Sequence, residues 1–306
     1  VAAGLEDILQ YIRELRFGSD DIKYLRSLGF FSEAFLAYLR RFRFHGDIWA
    51  MPEGTVCFPQ EPLIRVTAPI MEAQIIEGFL LNTINIQTMI ASKAVRCVLA
   101  AGSRSLFDFS LRRTHGTDAS LKVARSSYLA GFAGTSHVQA GYYYGIPLSG
   151  TMAHSFVMSF ASEREAFSAY GSTFPRKTIL LVDTYDTRKG VLKAVETGLE
   201  LEKQGHRLVG IRLDSGNIVV LSRYARRALD KAGLDYFKIV ASGDLDEYKI
   251  AAILAQDAPV DSFGVGTHMG TSSDAPVLDA IYKLSEVGET RQGLLPTMKL
   301  SKGKAT

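Results

Sequence analysis

Five short stretches carry residue types that can do chemistry. Arg212-Leu213-Asp214-Ser215-Gly216-Asn217 closes an apolar run with a cation and an anion two residues apart. Residues i and i+2 of a strand face the same side, so Arg212 and Asp214 should point together. Ser215, Gly216 and Asn217 would then open a helix, whose free N–H groups can hold an anion. Taken alone, the motif also reads as an ordinary strand-to-helix turn with a rim ion pair. Ser242-Gly243-Asp244 and Gly264-Val265-Gly266-Thr267 end the next two apolar runs in small residues. Small residues let backbone amides approach a phosphate closely, although tight barrel turns use them too. Beside the Arg212 end, they point to a phosphorylated sugar or a nucleotide. Gly150-Thr151-Met152-Ala153-His154-Ser155 delivers a histidine among hydroxyls. The alternative there is a hydrogen-bonded structural histidine. In Asp108-Phe109-Ser110-Leu111-Arg112-Arg113, Phe109 can stack on a ring while an arginine grips a carboxylate. The same stretch also reads as a strand edge with surface arginines. Tyr142-Tyr143-Tyr144 reads as a packing element rather than a binding one. The remaining histidines lack metal-ligand spacing, with no HExxH and no paired cysteines, so a zinc site is not expected.

The elements that must position these residues follow from the pattern around them. From Thr178 on, apolar runs alternate with helix-like stretches. The runs are Thr178–Val182, Arg207–Ile211, Phe237–Ala241 and the Ser262-Phe263 pair leading into Gly264. The helix-like stretches are Leu192–Lys203, Ile218–Lys231 and Asp246–Ala255. Continuous apolar strands between helices indicate a parallel sheet buried on both faces. In such sheets and barrels the ligand lies at the C-terminal strand edge, so the polar ends should converge on one rim. Upstream, Leu5, Ile8, Leu9, Ile12 and Leu15 recur at helical spacing, with Asp20 and Ser32 as expected N-caps and Gly29 as a stop. Turn-rich segments flank two β-like runs, Thr55–Phe58 and Leu63–Thr67. Met71 to Ala101 is long enough for helices, with a break expected near Asn82-Thr83-Ile84-Asn85.

Composition bounds the class. The 306 residues are 47% hydrophobic, enough for a sizeable core. Lys plus Arg is 35 against 32 Asp plus Glu, too balanced for a nucleic-acid or membrane footprint. Two cysteines, Cys57 and Cys97, exclude a disulfide framework. No run approaches the ~18 apolar residues of a membrane span, and the first residues lack a signal-peptide layout. A cytoplasmic enzyme is the expectation.

Seven stretches, in order, carry a resemblance. They are Pro52–Thr55, Leu80–Thr88, Asp108–Arg113, Gly150–Ser155, Val182–Thr187, Ile211–Asn217 and Ser242–Asp246. In these the chain resembles the nicotinate phosphoribosyltransferase family. The resemblance implies an irregular α/β barrel, with a second, smaller α+β domain built from N-terminal and C-terminal segments. It sets boundaries at residues 1–95, 96–275 and 276–306, and implies further chain before Val1 and after Thr306. The implied reaction joins nicotinate to phosphoribosyl pyrophosphate, giving nicotinate mononucleotide and pyrophosphate. ATP hydrolysis is coupled to it, magnesium is the cofactor, and a homodimer shares the active sites.

The resemblance also implies roles. His154 is the histidine that ATP phosphorylates, and Asp183 orients it or holds magnesium. Phe109 stacks on the pyridine ring and Arg112 lies near the ring substituent. Arg212 and Asp214, with Ser215 beside them, contact the ring or ribose region. Gly243 and Asp244 bind ribose, with Asp244 accepting the sugar hydroxyls. Gly264, Gly266 and Thr267 mark the 5′-phosphate end. Ser136 stands where the nicotinamide-using sister enzyme has Asp. A neutral hydroxyl there can donate to a carboxylate that an Asp would repel, which favours nicotinate over nicotinamide. The alternatives are a nicotinamide or quinolinate phosphoribosyltransferase, or a non-catalytic binder of a phosphoribosyl ligand.

Overall fold

The computed structural model describes residues 1–288 and 293–298. Two compact units divide the chain: one of Val1–Ala3, Pro52–Phe58 and Ile86–Pro276, the other of Gly4–Met51, Pro59–Asn85 and the residues from Val277 on. The part of the expected 276–306 segment over 289–292 and 299–306 lies outside the described residues.

The smaller unit opens with three short helices, Leu5–Glu14, Ser19–Ser27 and Glu33–Arg40. Ser32 caps the third, accepting from Phe35 N at 3.3 Å. Gly29 follows the second at φ 71°, a left-handed stop that suits glycine. The second helix begins one residue before Asp20, at Ser19, and Asp21 closes the turn by accepting from Gly18 N at 2.7 Å. Asp20 is therefore a first-turn residue and not the cap. Strands β1 (Asp47–Ala50) and β2 (Ile64–Thr67) form an antiparallel pair. The expected run Thr55–Phe58 is not a strand: Ala2 N donates to Thr55 O, and the ladder partner of β2 is Asp47–Ala50. This unit buries two clusters, Ile8, Ile12, Ile76, Leu80 and Ile84 in one and Ile22, Leu36 and Leu39 in the other.

One 32-residue helix, Ile70–Ala101, replaces the two expected around Asn82–Asn85. Asn85 does not interrupt it, because its side chain turns outward and accepts from Ala280 N at 3.3 Å. Lower down, Lys93 is 2% exposed and sits between Glu247 at 2.7 Å and Asp274 at 2.8 Å. Arg96 completes this cluster by pairing with both carboxylates.

The larger unit is built on a curled, six-stranded parallel sheet. Its strands are β3 (Ser105–Asp108), β4 (Gly134–Thr135), β5 (Ile179–Leu181), β6 (Gly210–Leu213), β7 (Lys238–Ala241) and β8 (Ser262–Val265). The spatial order is β4-β3-β8-β7-β6-β5. This is the α/β half-barrel that alternating apolar runs and helices require. Leu180, Ile211, Leu213, Ile239, Ala241, Phe263 and Val265 are buried in one continuous core. Two further two-residue strands, β9 (Glu286–Val287) and β10 (Leu295–Pro296), pair antiparallel.

The helices after the strands begin alike. Asp186 accepts from Lys189 N at 2.8 Å, Asn217 from Val220 N at 3.1 Å and Asp246 from Lys249 N at 2.7 Å. Each satisfies an otherwise orphan helix donor, a cap whose removal costs about 1 kcal/mol. In these three stretches Asp186, Asn217 and Asp246 serve as caps, whereas Asp183, Asp214 and Asp244 stand at the strand ends. Tyr142 and Tyr143 correct the packing expectation: they are 84% and 59% exposed, and only Tyr144 packs against Ala124, Ala140 and Ile146.

Candidate active site

Parallel strands place all their C-terminal ends on one edge. Asp108, Ser136, Asp183, Arg212, Asp214 and Ser242–Asp244 therefore share a rim, as their spacing requires. Arg212 is its hub. Its Nε donates to Ser242 Oγ at 2.7 Å, Nη1 to Thr151 Oγ1 at 2.8 Å and Nη2 to Asp214 Oδ1 at 2.6 Å. The guanidinium also lies 5.2 Å from the centre of the Phe109 ring, a cation–π contact. Phe109 thus stacks with Arg212. Arg112 and Arg113 stand on an exposed 3-10 turn, Leu111–Arg113.

Asp214 collects donors. Ser242 Oγ donates to Oδ1 at 2.5 Å, and His154 Nε2 stands 3.6 Å from Oδ2. Burial by itself would raise the Asp214 pKa, but the Arg212 charge, the Ser242 and Arg212 hydrogen bonds and His154 hold it below the usual carboxylate range. Asp214 is therefore an anion throughout the neutral range. His154 begins a short helix, and its Nδ1 is 3.1 Å from Thr184 Oγ1. Its ring is held from two sides, yet the side chain is 42% exposed. A positioned and accessible imidazole can accept a group from solvent. Asp183 Oδ2 accepts from Asp214 N at 3.1 Å and from Ser215 Oγ at 2.5 Å, whereas Oδ1 is buried without a partner.

The glycines have separable reasons. At Gly243, φ is 94°, and a Cβ would come within 1.9 Å of Asp214 O, so no side chain fits. This lets the ends of β6 and β7 close on each other. Gly264 lies inside β8, and a Cβ there would stand 2.4 Å from the Phe109 ring. Its vacancy seats the aromatic ring. Gly266 precedes the short helix Thr267–Gly270, whose first residue, Thr267, is exposed. Asp244 adopts φ 53° and has both oxygens engaged, Oδ2 by Lys249 at 2.7 Å and Oδ1 by His268 Nε2 at 2.8 Å. The Lys249 hydrogen bond holds its carboxyl below the usual range, and His268 adds to the effect against partial burial.

Ser136 lies beside β3, donating its N–H to Asp108 O at 2.9 Å. Asp108 itself is 1% exposed. Burial pushes its carboxyl up, against hydrogen bonds from Ser110 and Thr135. Sequence reasoning assigned no role to Asp108, Thr135, Thr151, Thr184, Ser242, Lys249 or His268. Asp108, Thr151, Thr184 and Ser242 stand inside motifs that the sequence singles out, whereas Thr135, Lys249 and His268 carry no such signal.

A curled parallel sheet with one polar rim, a paired Arg212–Asp214 and an exposed, braced His154 defines an α/β protein whose candidate site lies at the C-terminal strand edge. Residues 1–85 match the nicotinate phosphoribosyltransferase N-terminal domain, and residues 104–290 match the nicotinate phosphoribosyltransferase family. The chain belongs to the nicotinate phosphoribosyltransferase family. It is 52% identical over 286 residues to a nicotinate phosphoribosyltransferase of Mycobacterium tuberculosis, covering 93% of this chain and 61% of that protein. Identity to the Bacillus subtilis nicotinate phosphoribosyltransferase is 42% over 304 residues, covering 98% of this chain and 61% of that protein. Human nicotinic acid phosphoribosyltransferase superposes with a TM-score of 0.80 at 30% identity, covering 86% of this chain and 64% of that one. The chain thus spans about three-fifths of the length of these bacterial relatives. No helix among the described residues is long and apolar enough to cross a membrane.

Proposed function

We propose that the protein transfers a phosphoribosyl group from phosphoribosyl pyrophosphate to nicotinate, forming nicotinate mononucleotide and pyrophosphate in the cytoplasm, as a homodimer. Family membership supports this reading. The observation that carries it is the Arg212 hub, which ties the ends of β6 and β7 and the Thr151 loop to one carboxylate under an aromatic ring.

In this reading the pyridine ring lies against Phe109, with Ser136 and Arg112 toward its carboxylate. Pyrophosphate leaves the anomeric carbon, an oxocarbenium-like centre develops, and the ring nitrogen attacks. The protein works by positioning and charge placement. Asp214, held anionic, faces the positive charge that develops. Asp244 must exchange Lys249 or His268 for the sugar hydroxyls when ribose binds. Gly266 and Thr267 lie toward the 5′-phosphate.

Magnesium fits as an ion carried in by the substrate. Among the described residues no three His, Cys, Asp or Glu side chains group to hold a metal. Asp183 Oδ1, buried and unpartnered, is one carboxylate oxygen of the kind that suits an ion already bound to phosphates. When bound, magnesium neutralises charge on the leaving pyrophosphate.

ATP enters through His154. Phosphorylation there would place added negative charge beside the rim and order the donor. His154→Ala is expected to abolish acid-labile labelling from γ-labelled ATP and ATP coupling, while a slower, uncoupled transfer persists. Full ATP-driven coupling in the variant would refute the assignment. Assaying nicotinate and nicotinamide at matched concentrations tests the base. A clear preference for nicotinate is expected, and a preference for nicotinamide would sink the reading.

A further inference from the structure

Asp108 is a buried carboxylate that no cation among the described residues bonds, and the reaction as read above makes no use of it. Its Oδ1 accepts from Ser110 N at 2.9 Å and from Ser110 Oγ at 2.5 Å. Its Oδ2 accepts from Thr135 Oγ1 at 2.8 Å. Its main-chain oxygen accepts from Ser136 N at 2.9 Å. Side chain and backbone of one residue thus bind the ends of β3 and β4 together. The Thr135 hydroxyl passes the link on, accepting from His137 N at 3.0 Å, and His137 Nε2 rests 2.9 Å from Ser120 Oγ.

What this clamp encloses is Phe109. Of the ring's two chain neighbours, Asp108 bears the carboxylate and Ser110 is bonded to it. Phe109 N donates to Val265 O at 2.8 Å, the ring fills the space that a Gly264 Cβ would need, and the Arg212 guanidinium lies 5.2 Å from its centre. Ser110 is further pinned against Gly270, where a Cβ would approach within 2.4 Å. A buried carboxylate is costly unless it is hydrogen-bonded, and three donors offset that cost at Asp108. These bonds fix the spacing between Phe109 and Ser136.

The geometry points to Asp108, acting through Thr135 and Ser110, as a positioning residue that sets the slot for the pyridine base and hence the choice of base. This rests on reading Phe109 and Ser136 as the walls of that slot. Phosphoribosyl pyrophosphate is read at the β6–β8 ends, whereas the Asp108 bonds lie at the β3–β4 ends, so their loss should fall first on the base.

Thr135→Val keeps the volume and removes the hydroxyl. In the full-length protein it is expected to raise KM for nicotinate about tenfold, the size of one buried hydrogen bond. KM for phosphoribosyl pyrophosphate should stay within about twofold, and the nicotinate-to-nicotinamide kcat/KM ratio should fall. Thr135→Ser restores the hydroxyl and should restore all three values. Asp108→Asn, nearly isosteric, should shift the same ratio in the same direction. Unchanged nicotinate KM and base ratio in Thr135→Val, with wild-type enzyme active on nicotinate, overturns the positioning role alone. Equal rises in both KM values, unrescued by Thr135→Ser, overturn it as well. A wild-type protein that turns over neither base removes the transfer reaction and this role together.

Discussion

Replacing Arg212 with methionine is expected to lower kcat/KM by about a thousandfold. Three hydrogen bonds leave at once, to Ser242, Thr151 and Asp214. Bonds involving a charge contribute about 1.5–3 kcal/mol each, and a thousandfold in rate corresponds to about 4 kcal/mol. The Asp214 carboxylate also loses the charge that offsets its burial, so its pKa rises toward the range that burial alone dictates. The folded-state pKa is now depressed. Its contribution to stability is therefore present above the unfolded value and is lost as pH falls through the folded one. In the variant, acid should inactivate the protein at a higher pH than in the wild type. A pH–rate profile paired with steady-state kinetics checks both points. A loss under tenfold with an unmoved acid limb would show that Arg212 is an ordinary rim residue. Arg212→Lys should recover little, because one ammonium cannot reproduce the three-way fork.

The second large effect is on stability. Lys93→Met should cost about 3–5 kcal/mol, the usual loss on removing one partner from a buried ion cluster. Two carboxylates, Glu247 and Asp274, would then face each other with Arg96 as their remaining cation. In a domain of this size the melting temperature should drop on the order of 10 °C. The hydrogen bond from Lys93 holds the Asp274 carboxyl at about 2, below its ordinary 3.8. Its stabilising contribution is intact above the ordinary value and disappears as pH falls toward 2. Asp274 is partly exposed, so solvent screening trims this share. Thermal denaturation between pH 7 and pH 2 distinguishes the outcomes: the wild type should lose its advantage over Lys93→Met only at the acid end. A melting temperature within 2 °C of the wild type at neutral pH would remove the cluster from the list of major supports.

Much of the rim is legible in the sequence. Arg212, Asp214, Asp183 and Gly243 each end a continuous apolar run, and parallel strands leave such residues nowhere else to go. The partners were not legible. Thr151 and Thr184 meet Arg212 and His154 across 61 and 30 residues, and a hydroxyl in a loop carries no periodic signal. The Asp108 clamp was hidden for the same reason: it depends on the β3–β4 register, which pairs Asp108 with Thr135. The helix runs unbroken through Asn82–Asn85 because intrinsic propensity is a weak prior, readily overridden when flanking apolar residues pack. The missing strand at Thr55–Phe58 is a pairing error, since a β-like run becomes a strand only where a partner edge is available. Gly264 was noticed for its smallness, but its reason lay in the ring above it.

That last contact has an evolutionary and engineering consequence. Positions 109 and 264 occupy one volume, so neither can enlarge independently, and they form a single unit of variation. Any lineage or library that places a side chain at 264 must first shrink the ring at 109, and the route between two workable pairs passes through the smaller ring. The seat of the ring at 109 is set by the absence of one carbon atom at 264.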